Sequence, residues 1–363
     1  MRVTQLSHRL REDQELRQLT PDNVVEKMEG IIQAFLQPPV PAYKVVYLIL
    51  DHLSPAEYRT SWYRAGQSVL PTESVHTSIS YSLDEWRTDP KGAGEVAYRV
   101  YLPSRVQDRL RSQQGIAIQL HTDWADIPWE LLHDGQEFLC LKCPLARKPK
   151  LLREPRESSA NTSGQFLALV VGNPTGDLAG AEGEARQVAD MLMQNGGTVD
   201  LLLRHEATPE EFSKLVVRNP YHLIHFAGHG YFDTSDPRRS GLVFAGNRVI
   251  RGEELERVLS GRPFVFLSAC EAGMGTTLPS TGGFWGNFME GIAISALLGG
   301  ALGCLAPMWG IGDGTAKGFA IEFYRRFLQD VPIGEAVRQA RIWAREQNAS
   351  DFWAAWVLYG DPL

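Results

Sequence analysis

At 363 residues, with 44% apolar and 22% charged side chains, the chain has a globular composition and room for two domains, or one with a sizeable extension. Its net charge of −7 excludes a surface built mainly for nucleic acid, which needs clustered excess Lys and Arg. Four cysteines make no disulfide framework and point to a reducing cytoplasm, and residues 1–19 are densely charged and lack the apolar core of a signal peptide.

Thr20-Pro21 opens the first predicted helix, with threonine as N-cap and proline at the first helical position. Val24, Met28, Ile31, Ile32 and Phe35 form its apolar stripe, and Pro38-Pro39 ends it. A β-branched strand is expected over 44–50, whereas 51–94 mixes aromatic and polar residues without a clear period. Further strands are expected over 96–102 and 115–121. From 145 to 164 the composition turns polar and basic, through Arg147, Lys148, Lys150, Arg153 and Arg156, which reads as an exposed linker.

Beyond the linker, strands and helices alternate, the pattern of a mostly parallel sheet with helices on both faces. A strand over 166–171 is followed by a helix with Ala185, Val188, Ala189 and Leu192 on one face, stopping at Gly196-Gly197. Thr208-Pro209-Glu210-Glu211 is a capping box for the next helix. A buried strand then runs into Gly228-His229-Gly230. A hairpin over 241–250, a helix from Glu253 and a second buried strand ending at Cys270 come next. Residues 291–312 carry no charge over 22 positions, long enough to span a bilayer. Their six glycines and Pro307, with a natural division at Gly299-Gly300, read instead as a buried helix, turn and strand. Two helices and a strand over 354–359 close the fold. The expected organisation is a smaller α/β unit (1–94, poorly patterned, with 95–150), a linker over 151–164 and an α/β domain over 165–363, without internal repeats.

In a parallel sheet, chemistry gathers at the carboxyl ends of strands. His229 and Cys270 each stand at such an end, 41 residues apart and flanked by small residues that let the backbone turn. An imidazole beside a thiol lowers its pKa and can protonate a leaving amine, so the pair reads as nucleophile and acid–base partner. The backbone amides of Gly230 and Cys270 could face a developing oxyanion. Taken alone, Cys270 also reads as an ordinary buried cysteine. Rival constellations are weaker. His222, His225 and His229 cannot converge on a metal from one strand, because 222 and 225 point to opposite faces. Cys140 and Cys143, with His121 and His133, could complete a zinc site but lack turn-rich ligand loops, and read as buried thiols in a strand. Gly172-Asn-Pro-Thr-Gly176 follows a strand as a dinucleotide loop would, yet without G-x-G-x-x-G or a P-loop lysine. Arg325, Arg326 and Arg345 fall on solvated helix faces. Asp233 is close to His229 in sequence, but the group that orients the imidazole stays open.

An apolar strand, His-Gly, a second apolar strand and Ala-Cys is the order found in caspases, separases and their relatives. Three further stretches sharpen the likeness: Ile127-Pro128-Trp129-Glu130-Leu131-Leu132, Gly180-Ala181-Glu182-Gly183-Glu184, and the ending Ala354-Ala355-Trp356-Val357-Leu358-Tyr359-Gly360-Asp361-Pro362. Together they resemble the CHAT branch of that clan over roughly residues 96–363. Caspases proper place glutamine before Ala-Cys and about 50 residues between histidine and cysteine; here Ser268 precedes Ala269-Cys270, so the wider clan fits better.

The resemblance implies a caspase-like domain preceded by a smaller pseudo-caspase-like α/β unit. It also implies a regulated cysteine endopeptidase that cuts specific proteins through a Cys270 thioester, in a prokaryotic immune, signalling or cell-death pathway. No metal or organic cofactor, nucleic acid or membrane partner is implied. The expected partners are a protein substrate, such as a gasdermin-like pore former or another effector, and a regulatory protein or signal acting in trans. Residues 1–94 are an alternative seat of control, and 147–156 a candidate processing segment. The competing reading is the same fold with a disabled site, serving as a scaffold. In separases, which cut after arginine, an acidic residue beyond the cysteine faces the P1 side chain. Asp313, 43 residues past Cys270, resembles it, with Trp309 as an apolar wall of the S1 pocket. Asp313 could equally cap a helix beginning at Thr315 or Ala316, so basic and apolar P1 residues both stay open.

Overall fold

Alternating burial builds the first strand, β1 (Lys44–Ser54), in which Val46, Leu48 and Leu50 turn to the core. It pairs antiparallel with β2 (Glu57–Arg64), which pairs in turn with β3 (Gln67–His76), so the unpatterned stretch after β1 is a meander. The computed structural model describes residues 43–54, 57–78, 83–124, 127–151, 154–156, 165–231, 233, 239–270, 284–311, 313–347 and 352–363, with backbone alone at 83–84, 87, 270, 284–290, 313 and 352. The helix expected over 20–38 lies outside the described residues.

The strand expected over 96–102 is a helix. After α1 (Leu83–Thr88), Asp89 accepts a hydrogen bond from the Gly92 amide at 2.9 Å and Pro90 follows at the first helical position, so α2 (Pro90–Tyr101) is nucleated upstream of the apolar run. Ala93, Ala97 and Tyr101 recur at helical spacing and are buried, while Val96 faces outward. Then come α3 (Ser104–Ser112), β4 (Ile116–His121), α4 (Leu139–Lys142) and β5 (Leu145–Lys148). Cys140 lies in α4 and Cys143 caps it, so these thiols belong to a short helix rather than a strand; burial pushes both up to about 12.

The basic stretch also departs from expectation. Arg147 belongs to β5 and is buried, paired with the equally buried Glu130. Arg156 donates to the carbonyls of Glu256, Arg257 and Leu259 at 2.7, 3.1 and 2.5 Å, satisfying carbonyls at a helix end. Residues 157–164 lie outside the described residues.

The larger half contains β6 (Leu167–Gly172), α5 (Ala179–Gln194), β7 (Thr198–Leu203), α6 (Pro209–Arg218), β8 (Leu223–Tyr231), β9 (Gly241–Phe244), β10 (Arg248–Arg251), α7 (Gly252–Val258), β11 (Phe264–Cys270), α8 (Phe284–Leu298), β12 (Gly303–Pro307), α9 (Asp313–Phe327), α10 (Ile333–Glu346) and β13 (Trp356–Gly360). Ala185, Val188, Ala189 and Leu192 are buried on α5 as the periodicity requires, and Thr208 accepts from the Glu211 amide at 3.1 Å. The uncharged run divides at Gly299-Gly300 into α8 and β12, and among the described residues no helix is long and apolar enough to cross a membrane.

The strands form one mixed, mostly parallel sheet in the order β7-β6-β8-β11-β12-β13-β5-β4-β1-β2-β3, with the β9–β10 hairpin continuing from the end of β8. From β7 to β12 all strands are parallel; β13 runs against β12 and with β5, β4 and β1. The two halves therefore meet edge to edge at β13 and β5. Strands β4 and β5 consequently end at the edge of the sheet opposite to that where β8, β11 and β12 end.

Candidate active site

Two apolar runs, Leu223-Ile-His-Phe-Ala and Phe264-Val-Phe-Leu-Ser-Ala, are buried on both faces, as neighbouring strands inside a parallel sheet must be. Their pairing runs from Leu223↔Phe264 to His229↔Cys270. Lateral partners in a parallel pair share a face, so the backbone sets Cys270 beside His229 at the carboxyl edge. The next residue on β8, Gly230, is held by its pairing with Leu242 of β9.

Sheet order brings a further residue to this edge. Strand β6 neighbours β8, and the turn after β6 carries Gly172-Asn-Pro-Thr-Gly-Asp177 over the end of β8. Both carboxylate oxygens of Asp177 lie 3.0 Å from His229 Nε2. The turn is built for this placement. Asn173, buried and at φ +49°, donates its backbone N–H to the Ala227 carbonyl at 2.8 Å, and its Oδ1 accepts from the Leu178 amide at 2.8 Å. Glu182, fixed by Arg186 and Arg204, sits 3.4 Å from Asn173 Nδ2. A Cβ on Gly172 would lie 2.3 Å from the Ala185 Cβ, and one on Gly228 would lie 2.9 Å from Pro174 Cδ. Glycine at these two positions lets α5 and the turn approach the strands. The stretch that superficially follows a nucleotide-loop pattern is therefore the mount for Asp177.

With Nε2 facing a carboxylate, Nδ1 is the remaining nitrogen of His229; it is buried and has no partner among the described residues. A hydrogen bond from Thr175, and secondarily His229, holds the Asp177 carboxyl below the ordinary aspartate range. Asp233, the acidic residue near His229 in sequence, is engaged elsewhere: its amide bonds Ser240 Oγ at 3.1 Å and its carboxylate lies 3.8 Å from Arg239. The three histidines diverge. His222 accepts from the Leu167 amide at 3.0 Å, and His225 contacts Tyr324 at 3.0 Å. Among the described residues no group of three or more His, Cys, Asp or Glu side chains could hold a metal ion.

Strand β12 lies parallel beside β11, so the segment after it leaves the sheet at the same edge. Trp309 is buried there, its Nε1 without a partner among the described residues. Asp313 is the first residue of α9 rather than the residue before it, where an N-cap would stand. Its side chain, like that of Cys270, lies outside the described part. Arg326 and Arg345 occupy partly or fully solvated faces, pairing with Glu322 at 2.8 Å and Glu137 at 2.7 Å.

The sequence matches the family described as CHAT domain over residues 91–361, three quarters of the chain. The chain belongs to the CHAT domain family. Among solved structures, this CHAT domain is similar to gingipain R, an Arg-specific cysteine proteinase (14% identity, TM-score 0.50, 77% of this chain and 75% of that one). A complex of the pro- and mature domains of Porphyromonas gingivalis RgpB gives the same identity and TM-score, covering 77% and 76%. Separase from Saccharomyces cerevisiae, in complex with securin, matches at 18% identity and TM-score 0.45, over 68% of this chain and 15% of that one. Among curated proteins none matches in sequence. The architecture of this CHAT domain is thus similar to the fold of gingipain R.

Asp177→Ala should slow turnover roughly 10- to 100-fold, less than the ~10⁴ of a buried triad aspartate, because 61% of this side chain is exposed and water screens it. A carboxyl held below its unfolded value contributes above that value and loses its effect as pH falls through the lowered one. The ratio of wild-type to Asp177→Ala rates should stay level from neutral pH down to about pH 4 and decline towards one below it. A ratio that already collapses near pH 6 would show that another group orients His229.

Proposed function

We propose that this CHAT domain is a cysteine endopeptidase acting through Cys270 and His229. The observation that carries the reading is the lateral pairing of Cys270 with His229 at a carboxyl edge, where Asp177 grips the far nitrogen of the imidazole. In the proposed cycle the Cys270 thiolate attacks the scissile carbonyl, giving a tetrahedral intermediate whose oxyanion faces backbone amides near Gly230 and Cys270. His229 then protonates the departing amine, leaving a thioester. Water, deprotonated by His229, attacks that thioester; the acid product leaves and the thiol is restored. Asp177 acts on this sequence by keeping the Nε2 proton on its own side, so that Nδ1 works on the thiol.

The proposed substrates are specific proteins rather than bulk polypeptide, in a prokaryotic immune, signalling or cell-death pathway, with activation by a protein or signal in trans. A cysteine-directed peptide electrophile should label Cys270 in wild type and not in His229→Ala. Mass spectrometry of a proteome should then reveal cleavages made by wild type and absent with Cys270→Ala. No labelling and no such cleavages would leave a scaffold of protease-like fold.

For the P1 side chain we propose a basic residue, read by Asp313 with Trp309 alongside. Support comes from the placement of both after β12, at the edge that carries the dyad, and from the Arg specificity of gingipain R. Asp313→Ala should weaken cleavage after Arg by roughly 2–4 kcal/mol of transition-state binding, the cost of breaking a desolvated charge pair, and spare apolar P1 residues. A substrate library selecting Leu or Met, unmoved by Asp313→Ala, would assign Asp313 to the first turn of α9 alone.

A further inference from the structure

Below the dyad, on the same face of the sheet, lies a second set of polar side chains. Ser268 precedes Cys270 by two residues on β11 and His225 precedes His229 by four on β8, so the period-2 rule puts them on the dyad's face. Both are buried, and both are reached by one residue of α5, Glu184, itself 1% exposed. Glu184 Oε2 accepts from Ser268 Oγ at 3.1 Å, whereas Oε1 lies 3.3 Å from His225 Nε2 without the geometry of a hydrogen bond, so that contact is one of packing and proximity. The other nitrogen of His225 contacts the Tyr324 hydroxyl of α9 at 3.0 Å. Burial, and secondarily Glu184, push the Tyr324 phenol well above its ordinary value, so it stays a donor. Among the described residues no Lys or Arg pairs with Glu184. A carboxylate is kept this deep where its hydrogen bonds offset desolvation and where the place itself matters.

We infer that Glu184 is a positioning residue for the dyad: from α5 it bonds Ser268 on one reactive strand and packs against His225 on the other, and so fixes the offset between Cys270 and His229. The grip on β11 lies two residues, about 7 Å, from Cys270. Displacements of about 1 Å at reacting atoms can cost about 10²-fold in rate, so a small slip between the strands is felt. Asp177 turns the imidazole ring, whereas Glu184 sets the distance between the strands that carry the two reactive residues. The inference rests on the Cys270–His229 reading.

Its test uses the full chain and two readouts: the rate at which iodoacetamide alkylates Cys270, followed by peptide mass spectrometry, and kcat and KM on a cleaved peptide. Cys140, Cys143 and Cys304 are buried with thiols pushed up by that burial, so Cys270 is the fast site. Ser268→Ala should slow alkylation and kcat about 3- to 10-fold with KM nearly unchanged. Glu184→Ala should slow both about 30-fold, and the double variant should be no slower. Glu184→Gln, whose amide oxygen can still accept from Ser268, should recover most of the loss at a matched melting temperature. Should Glu184→Ala fail to fold, Ser268→Ala and Glu184→Gln decide the matter. Wild-type rates in Ser268→Ala, or Glu184→Gln as slow as Glu184→Ala, overturn the positioning role alone. A wild-type Cys270 that reacts no faster than a free thiol overturns the dyad reading, and positioning with it.

Discussion

Cys270→Ala and His229→Ala should each lower kcat/KM by about 10⁴-fold or more, and the double variant should fall no further. The reasoning is chemical. In the proposed cycle no thioester forms without Cys270, and without His229 the thiol has neither an ionising partner nor a proton source for the amine. Residues that act as one unit lose their effect together, so the two losses do not multiply. Both positions lie at strand ends, Cys270 closing β11 and His229 two residues before the end of β8, outside the middle of the sheet. Far-ultraviolet circular dichroism should therefore stay close to wild type, while His229→Ala, which empties a buried site, should lower the urea midpoint. The measurement is turnover of a peptide selected from a P1 library, with active sites counted by an electrophilic probe. Near-wild-type proteolysis by Cys270→Ala would end the assignment, and a double variant much slower than either single one would mean that the two residues act separately.

That Cys270 and His229 share one edge is legible because both strands announce themselves as apolar runs broken by small residues, and the parallel pairing then puts the two breaks side by side. Asp177 was not legible, for a topological reason. It lies 52 residues before His229, and only the sheet order, with β6 beside β8, joins them. Asn173 and Gly172 signal a constrained turn, but a constrained turn in sequence does not say what it holds. Glu184 sits in a stretch that resembles the family, yet its neighbours Ser268 and His225 come from two strands far from it in the chain. The apolar residues over 96–102 fit strand and helix alike over so short a span; Asp89-Pro90, a cap and a first-turn proline, is the signal that decides for a helix over 90–101. Composition misled most at Arg147. Averaged over 145–164 the stretch looks solvated, whereas each basic residue has its own fate, Arg147 in the core and Arg156 on the carbonyls at the end of α7.

That buried arginine should give the largest stability effect in the chain. Glu130 is 0% and Arg147 1% exposed, and they meet through two hydrogen bonds, Arg147 Nε to Glu130 Oε1 at 3.1 Å and Nη2 to Oε2. The pair lies at the seam of the sheet: Arg147 is the register partner of Tyr359 on β13, and its Nη2 is 3.6 Å from the Met308 sulfur, just past the end of β12. Glu130→Ala removes the carboxylate and keeps the guanidinium in the core, which should cost about 3–5 kcal/mol and lower the urea midpoint by roughly 1–2 M. Replacing both, as Glu130→Leu with Arg147→Met, removes the desolvation of two charges together with their attraction, and should come out near wild type or above it. The contrast separates the pair from ordinary packing. If the double variant is as unstable as Glu130→Ala, shape at the seam matters more than charge. If Glu130→Ala itself is almost neutral, the guanidinium's other interactions hold it in the core, and Glu130 is not what fixes the seam between β5 and β13. Met308 leads directly to Trp309 and Asp313, so under the proposed P1 role a Glu130→Ala protein that still folds should also show altered KM for Arg substrates with kcat less affected.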